Sequence, residues 1–501
     1  MRTFSFKKML ELNTIAIMIL VLTIPLGAAS KPKRELKGNM TEVYNKLPEE
    51  ASTFTEIFTK GMIYGRIRTN YFRWYWDEDS KYDPKGFALG GSIIYKTAPF
   101  HGLSGTVGLY TAQNLGLLRR KDARYGKSGK DTFSRYRVMK HGNWGMTNFA
   151  QFYLEYSFMK TNIKVGRQIF ESFLTNSNDT KMIPNTFQGI TLTCKYIPAT
   201  TIKFAFFNKQ KLRDHLSFHD VITYGWGTGP WSKWRGNDDS AAHKGLSYAN
   251  LKAADKDLHH KLIIAGITNN SIKNLKLDLW YNGVPTLFFS LMAEVNYEVP
   301  LGGGWILTPG FRYMEQFDDG AGPVGGAALT GKLAGVSGSA RGYDDADSVD
   351  GRLYGARLVF KKGPGKLLFG YTEISDDADI IAPWRGFPTG GYTRSMAQYN
   401  WEAKTKSWMV KLTYDFGKAN LIKGFRMAID YAYMDYDDTK EKLGGIKRTD
   451  RYIVHIDMWY RLPFLQYLEA KARIGLVEAD HRSNGDDPSY DEFRFELNYL
   501  F

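Results

Sequence analysis

The stretch Asp491-Glu-Phe-Arg-Phe-Glu-Leu-Asn-Tyr-Leu-Phe501 reads with period two. Phe493, Phe495, Leu497, Tyr499 and Phe501 share one face; Glu492, Arg494, Glu496 and Asn498 share the other. Successive side chains of a strand point to opposite sides of the sheet, so this is a strand with one apolar and one polar surface, the aromatic face turned to lipid. A single strand of a soluble sheet alternates in the same way. Recurrence decides between the two. From Gly61 onward Ile63, Ile67 and Tyr71 alternate with Tyr64, Arg66, Arg68 and Asn70, and the pattern returns in about 18 segments, among them Gln188–Ile197, Arg451–Tyr460 and Leu465–Val477. Charged residues sit at strand centres on the polar face, as in Arg426 with Asp430, or Glu469, Lys471 and Arg473. Only a water-filled lumen solvates so many of them.

The connections alternate in length. Thr97–Gly102, Pro198–Thr200, Pro300–Gly304, Lys361–Lys366 and Leu462–Phe464 are short, and between them run the long polar loops Ala112–Thr147, Gln210–His259, Phe317–Asp350 and Ser375–Lys406. Tight turns at one end and long loops at the other define a transmembrane barrel with short periplasmic turns and long extracellular loops. An open sheet edge in lipid leaves backbone groups unpaired, so the sheet must close. The expected fold class is therefore all-β: a transmembrane antiparallel β-barrel of about 18 strands. A barrel of that size encloses an aqueous channel, so the expected function is passive diffusion of small hydrophilic solutes.

Composition agrees. The 501 residues include 50 Gly, 31 Tyr, 31 Phe and 12 Trp, and after the first 30 no apolar run approaches the roughly 20 residues of a membrane helix. The single Cys194 excludes a disulfide framework and a Cys-based zinc site. Arg2, Lys7 and Lys8, the apolar run Ile15–Leu22 and the small residues up to Ser30 have the three-part layout of a secretory signal. The expected division is a signal peptide at 1–29, a periplasmic leader at 30–60 and an outer-membrane barrel at 61–501. Residues 1–29 carry three basic and one acidic side chain, so of the net charge of +15 the remainder keeps +13. An exported basic protein has no expected nucleic-acid partner.

Several segments resemble the OprD-type family of substrate-selective outer-membrane porins. They are Lys164-Val-Gly-Arg-Gln168 with Asn178–Gly189, Phe87-Ala-Leu-Gly-Gly91 with Tyr95–Pro99, Leu353-Tyr-Gly-Ala-Arg357 and the terminal Phe501. The resemblance covers essentially all of 61–501. It implies an 18-stranded monomeric barrel of a Gram-negative outer membrane, a row of lumenal basic residues and passage of carboxylate-bearing solutes. It also implies a setting of outer-membrane lipid and lipopolysaccharide, with Phe501 resembling the signal read by the barrel-assembly machinery. Asn178–Gly189 matches the family's inward-folded constriction loop, expected near 171–185. Here the chain departs from the pattern: Lys181 stands where the family has Arg, and a lysine lacks the bidentate fork.

Projecting the alternation inward assigns 16 bases to the lumen: Arg66, Arg68, Lys96, Lys164, Lys195, Lys203, Lys209, Lys276, Arg312, Arg357, Lys411, Arg426, Arg451, Lys471, Arg473 and Arg494. Against them stand nine acids, Glu155, Asp278, Glu294, Asp415, Asp430, Asp457, Glu469, Glu492 and Glu496. The transport pathway is expected on Arg66, Arg68, Arg312, Arg357, Lys411, Arg451, Lys471, Arg473 and Arg494, because guanidinium forks hold a carboxylate by two hydrogen bonds and a succession of them passes it on. The alternative for each is a cross-strand pair that braces the wall. In the constriction loop, which also carries Lys181, Glu171 and Asp179 either face the basic wall across the pore and set up a transverse field or cap turns within the loop.

No cofactor or metal is expected. Asp344-Asp-Ala-Asp347 and Asp376-Asp-Ala-Asp379 lack the glycine and distant glutamate of a calcium loop, and His215, His219, His243, His259 and His260 have no zinc-ligand spacing. A lipase-like barrel enzyme is the second class considered, but no G-x-S-x-G signature supports it. A structural or adhesive barrel with a blocked lumen is the third.

Overall fold

The computed structural model describes residues 34–36, 42–44, 48–119, 132–177, 181–227, 232–233, 242–332, 341–384, 392–396, 398–442, 446–482 and 484–501. The signal segment and Asp179 fall outside these residues.

Eighteen strands form one closed antiparallel barrel. They are β1 Met62–Trp76, β2 Lys85–Lys96, β3 Leu103–Gln113, β4 Gly145–Phe158, β5 Thr161–Gln168 and β6 Thr186–Cys194. Next come β7 Thr200–Lys211, β8 Leu262–Asn269, β9 Leu275–Val284, β10 Phe288–Tyr297 (resumed as Val299–Gly302), β11 Trp305–Asp318 and β12 Gly351–Lys362. The last are β13 Gly365–Ile374, β14 Lys406–Asp415, β15 Phe425–Asp435, β16 Arg451–Arg461, β17 Leu468–Ala479 and β18 Tyr490–Leu500. Each strand pairs with its sequence neighbours, and β18 closes on β1 from Tyr490 opposite Trp76 to Leu500 opposite Arg66. At the foot of that seam Gly65 N–H donates to Phe501 O (3.1 Å) and Phe501 N–H donates to Gly65 O (3.0 Å). Among the described residues the barrel itself leaves no strand edge for lipid.

Each expected strand has its counterpart, with shifts at the ends that turns explain. The segment Gln188–Ile197 stops at Cys194 because the chain turns there, with Ala199 in the left-handed region at φ 52°. The segment Leu465–Val477 starts at Leu468 because Leu462 N–H donates across the turn to Leu468 O (3.1 Å). Long and short connections alternate throughout, except that the loop between β9 and β10 is cut to Pro285–Leu287. Gly91, in the Phe87–Gly91 motif, adopts φ 136°, and a Cβ there would meet Arg66 O at 2.0 Å. Only glycine fits that approach.

The two faces separate as period two requires. On β1, Arg66 and Arg68 are 1% and 0% exposed, while Ile63 and Ile67 are 65% and 54% exposed. β18 departs from its expected lipid exposure: Tyr499 is exposed, but Phe493 and Phe495 are each only 4% exposed. Phe493 sits edge-on to Tyr75 at 5.9 Å, and Phe495 packs among Tyr71, Met458 and Ala472. Among the described residues no helix is long and apolar enough to cross a membrane.

The long connections do not simply project outward. Val221, Leu246, Leu251, Val324, Leu329, Ile380, Ile381 and Trp384 from three of them are buried together with Phe207, Leu262 and Met292 of the wall. Apolar burial at roughly 25 cal/mol per Å² holds them inside the long-loop end.

Candidate functional site

Many of the predicted bases sit beside acids or aromatic rings of the barrel wall, but Lys195 lies just past β6 and is exposed, and Lys209 is exposed beyond a register shift between β6 and β7 at Gln188/Gly189, where the alternation breaks. Arg68 Nη2 lies 2.7 Å from Glu496 Oε2. Arg494 Nε lies 2.5 Å from Glu492 Oε1, and Arg473 Nε lies 2.9 Å from Asp457 Oδ1. Lys411 Nζ lies 3.1 Å from Asp430 Oδ2. Arg66 contacts Glu42. Arg451 donates to Gln398. Lys471 lies over the Trp459 ring at 5.2 Å. Bracing pairs are thus the rule along this wall.

Several acids are shared between bases. Glu294 takes Arg312 on Oε2 (Nη2 2.5 Å, Nε 2.6 Å) and, on Oε1, Arg357 Nη2 at 3.3 Å and Asn296 Nδ2 at 2.9 Å. Arg357 Nη2 also donates to Asn296 Oδ1 (2.6 Å). His455 stands between Asp430 (3.2 Å) and Asp457 (3.4 Å). This histidine was missed in the sequence, although it shares the inward parity of Arg451 and Asp457, its neighbours at two-residue steps on β16.

The residues of 171–177 and 181–185 bridge two sides of the interior. Leu174 is buried in the cluster containing Phe187, Phe207 and Leu262. Met182 and Ile183 are buried against Ile94, Tyr110 and Met146. Glu171 accepts from Ser177 Oγ (3.3 Å), and its backbone oxygen accepts from Lys203 Nζ (3.1 Å). Lys181 is fully buried with Nζ 5.5 Å from the Phe72 ring centroid, so it meets the β1 wall rather than the open lumen.

A second inward segment, on the loop between β13 and β14, carried no signal in the sequence. Tyr392 lies 4.9 Å from the Arg312 guanidinium and 4.8 Å from that of Arg357. Two glycines make its seat: a Cβ on Gly355 would come 2.5 Å from the Tyr392 ring, and one on Gly370 2.3 Å from Tyr392 O. Farther along, Ser395 Oγ donates to Asp430 Oδ1 (2.5 Å), and Gln398 Nε2 donates to the Tyr490 hydroxyl. Inward-packed loop residues are therefore not confined to the 171–185 loop: Tyr392, Ser395 and Gln398 form a second group.

The loop histidines fall at separate places. His215 and His219 touch at 2.6 Å, and His260 bonds Asp220 at 3.0 Å. His243, 1% exposed, donates from Nε2 to Gly326 O (2.7 Å) and accepts at Nδ1 from Gly245 N–H (3.1 Å). Burial lowers its pKa to about 4. Of the acid runs, Asp376 lies between Lys404 (3.1 Å) and Lys440.

A family model described as outer membrane porin, OprD family, matches residues 140–501. Among solved structures, Acinetobacter baumannii OccAB3 is 16% identical with a TM-score of 0.66, covering 88% of this chain and 99% of its own. Pseudomonas aeruginosa OccK9 (OpdG) is 16% identical with a TM-score of 0.65, covering 89% and 99%. Pseudomonas aeruginosa OpdK, solved with vanillate, is 14% identical with a TM-score of 0.63, covering 89% and 99%. At these identities the structures show a shared fold. No curated protein matches the chain in sequence.

Proposed function

The chain belongs to the OprD family of outer membrane porins, and from that premise we propose that it gives passive passage to small anionic, carboxylate-bearing solutes along a lumenal row from Arg312 and Arg357 to Arg494, Arg68 and Arg66. The family is one of substrate-selective porins, not enzymes, and its place is the outer membrane. The observation that carries the finer reading is Glu294. One carboxylate serves two guanidinium groups, so that part of the wall keeps an excess positive charge. Asp430 and Asp457 each have His455 as a second partner, with Lys411 and Arg473 beyond, and with a neutral imidazole these two acids and two bases balance.

A solute carboxylate that reaches Arg312 replaces part of Glu294's hold and regains the hydrogen bonds lost with its hydration shell. Arg312 and Arg357 lie on adjacent strands, as do Arg473, Arg494 and Arg68, so within each group the carboxylate is handed on without deep trapping. The solved complex of the relative OpdK with vanillate supports a carboxylate ligand class. In this account residues 1–29 are removed on export, 30–60 lie toward the periplasm, 171–185 narrows the lumen and the barrel acts as a monomer. The nine pathway residues and Glu171 and Asp179 of the narrowing loop are its working set, with Lys181 holding that loop against the β1 wall. Proteoliposome swelling tests the reading. Isotonic sodium vanillate should enter faster than arginine hydrochloride, and faster entry of the cationic solute overturns it.

A further inference from the structure

Upstream of the barrel wall, Arg34–Leu36 and Glu42–Tyr44 pair as a short antiparallel hairpin. Two of its side chains reach lumen-facing residues at the short-turn end. Leu36 is buried with Leu500 and packs against Tyr467. Glu42 places Oε1 2.9 Å from Arg66 Nε, the two side chains being 5% and 0% exposed. The same oxygen accepts from Ser92 Oγ. Arg66 and Ser92 are register partners on β1 and β2, so a single carboxylate oxygen spans two adjacent strands at the start of the basic row.

Glu42 is held imperfectly. Its Oε2 is buried with no hydrogen-bond partner among the described residues. A carboxylate that engaged donors with both oxygens would be bound better at the same place. Next to it opens a cavity of about 370 Å³ whose lining includes Tyr64, Tyr153, Lys164, Glu171 and Lys203 as well as Glu42. A small carboxylate in that cavity lies between the lysines and the Glu42 contact.

We propose that Glu42 is a tethered carboxylate occupying the Arg66–Ser92 site, which a permeating carboxylate must displace. The proposal rests on the carboxylate reading above and adds the residue that sets selectivity at the short-turn mouth. A side chain on a short tether competes as if present at a concentration on the order of millimolar, so dilute or weakly binding anions pass slowly and a solute presenting two well-placed oxygens passes. No bond is made or broken; one ionic partner of Arg66 is exchanged for another.

The test uses the mature chain in planar bilayers with potassium benzoate and potassium chloride as probes, comparing wild type, Glu42→Gln and a variant lacking residues 34–44. Folding of each is checked by heat-modifiable migration. Benzoate conductance and the anion-to-cation permeability ratio should rise about twofold or more in both variants, the scale of one water-screened charge at close range. An anion-selective wild type that Glu42→Gln and the deletion leave unchanged overturns the role of Glu42 alone. A cation-selective wild type that they leave unchanged overturns both this proposal and the carboxylate reading.

Discussion

Glu294 and Arg312 stand directly opposite one another on β10 and β11, joined by two contacts of 2.5 and 2.6 Å to a single carboxylate oxygen. The other oxygen is left for Asn296 and Arg357. A buried pair of this kind is costly to break on one side, and here the acid restrains two bases at once. Glu294→Gln should release both. Two unit charges about 4 Å apart in water-like screening interact by about 1 kcal/mol, or roughly fivefold in a permeability ratio. The anion-to-cation ratio from reversal potentials should rise by about that factor. An unchanged ratio in a folded variant means that Glu294 does not offset the arginines.

Tyr392→Ala should widen the lumen where the tyrosine covers Arg312 and Arg357. Its seat against Gly355 and Gly370 places it on the wall, and loss of the ring exposes both guanidinium groups to water. Single-channel conductance should increase while heat-modifiable migration stays normal. Equal or lower conductance argues against Tyr392 as an obstruction.

Deleting Phe501 removes the last pair of backbone hydrogen bonds at the barrel seam, 3.0 and 3.1 Å to Gly65. The deletion should lower the folded fraction seen by heat-modifiable migration more than it changes the conductance of the pores that do form. Unchanged folded yield contradicts this.

His243 is neutral at ordinary pH because burial holds its pKa at about 4. An unfolded histidine titrates near 6.5. The folded group's pKa is depressed, so packing of the loop is fully favoured above about 6.5 and weakens as pH falls from there toward 4, by at most a few kcal/mol. Limited proteolysis of the 212–261 loop should accelerate over that interval in the wild type and much less in His243→Gln. Equal acceleration in both places the titrating group elsewhere.

Period two made the barrel legible. Ile63 and Ile67 face outward and Arg66 and Arg68 inward because lipid and water demand opposite side chains at alternate positions. The same arithmetic put Arg312 and Arg357 inside, and it covers His455 too, although that residue was not singled out. It carried nothing about Tyr392, Gln398 or Glu42, whose positions depend on glycine seats and acceptors far away in the chain. Nor did it foresee Phe493 and Phe495 being covered, since alternation tells which face a side chain is on and not what lies against it.

The most direct measurement is the reversal potential of the wild-type pore in a potassium chloride gradient, followed by Arg312→Gln, Arg357→Gln and the double substitution. The account predicts anion selectivity in the wild type and a loss in the double variant larger than in either single one, partly masked at high salt. A cation-selective wild type, or a folded double variant with an unshifted potential, contradicts it.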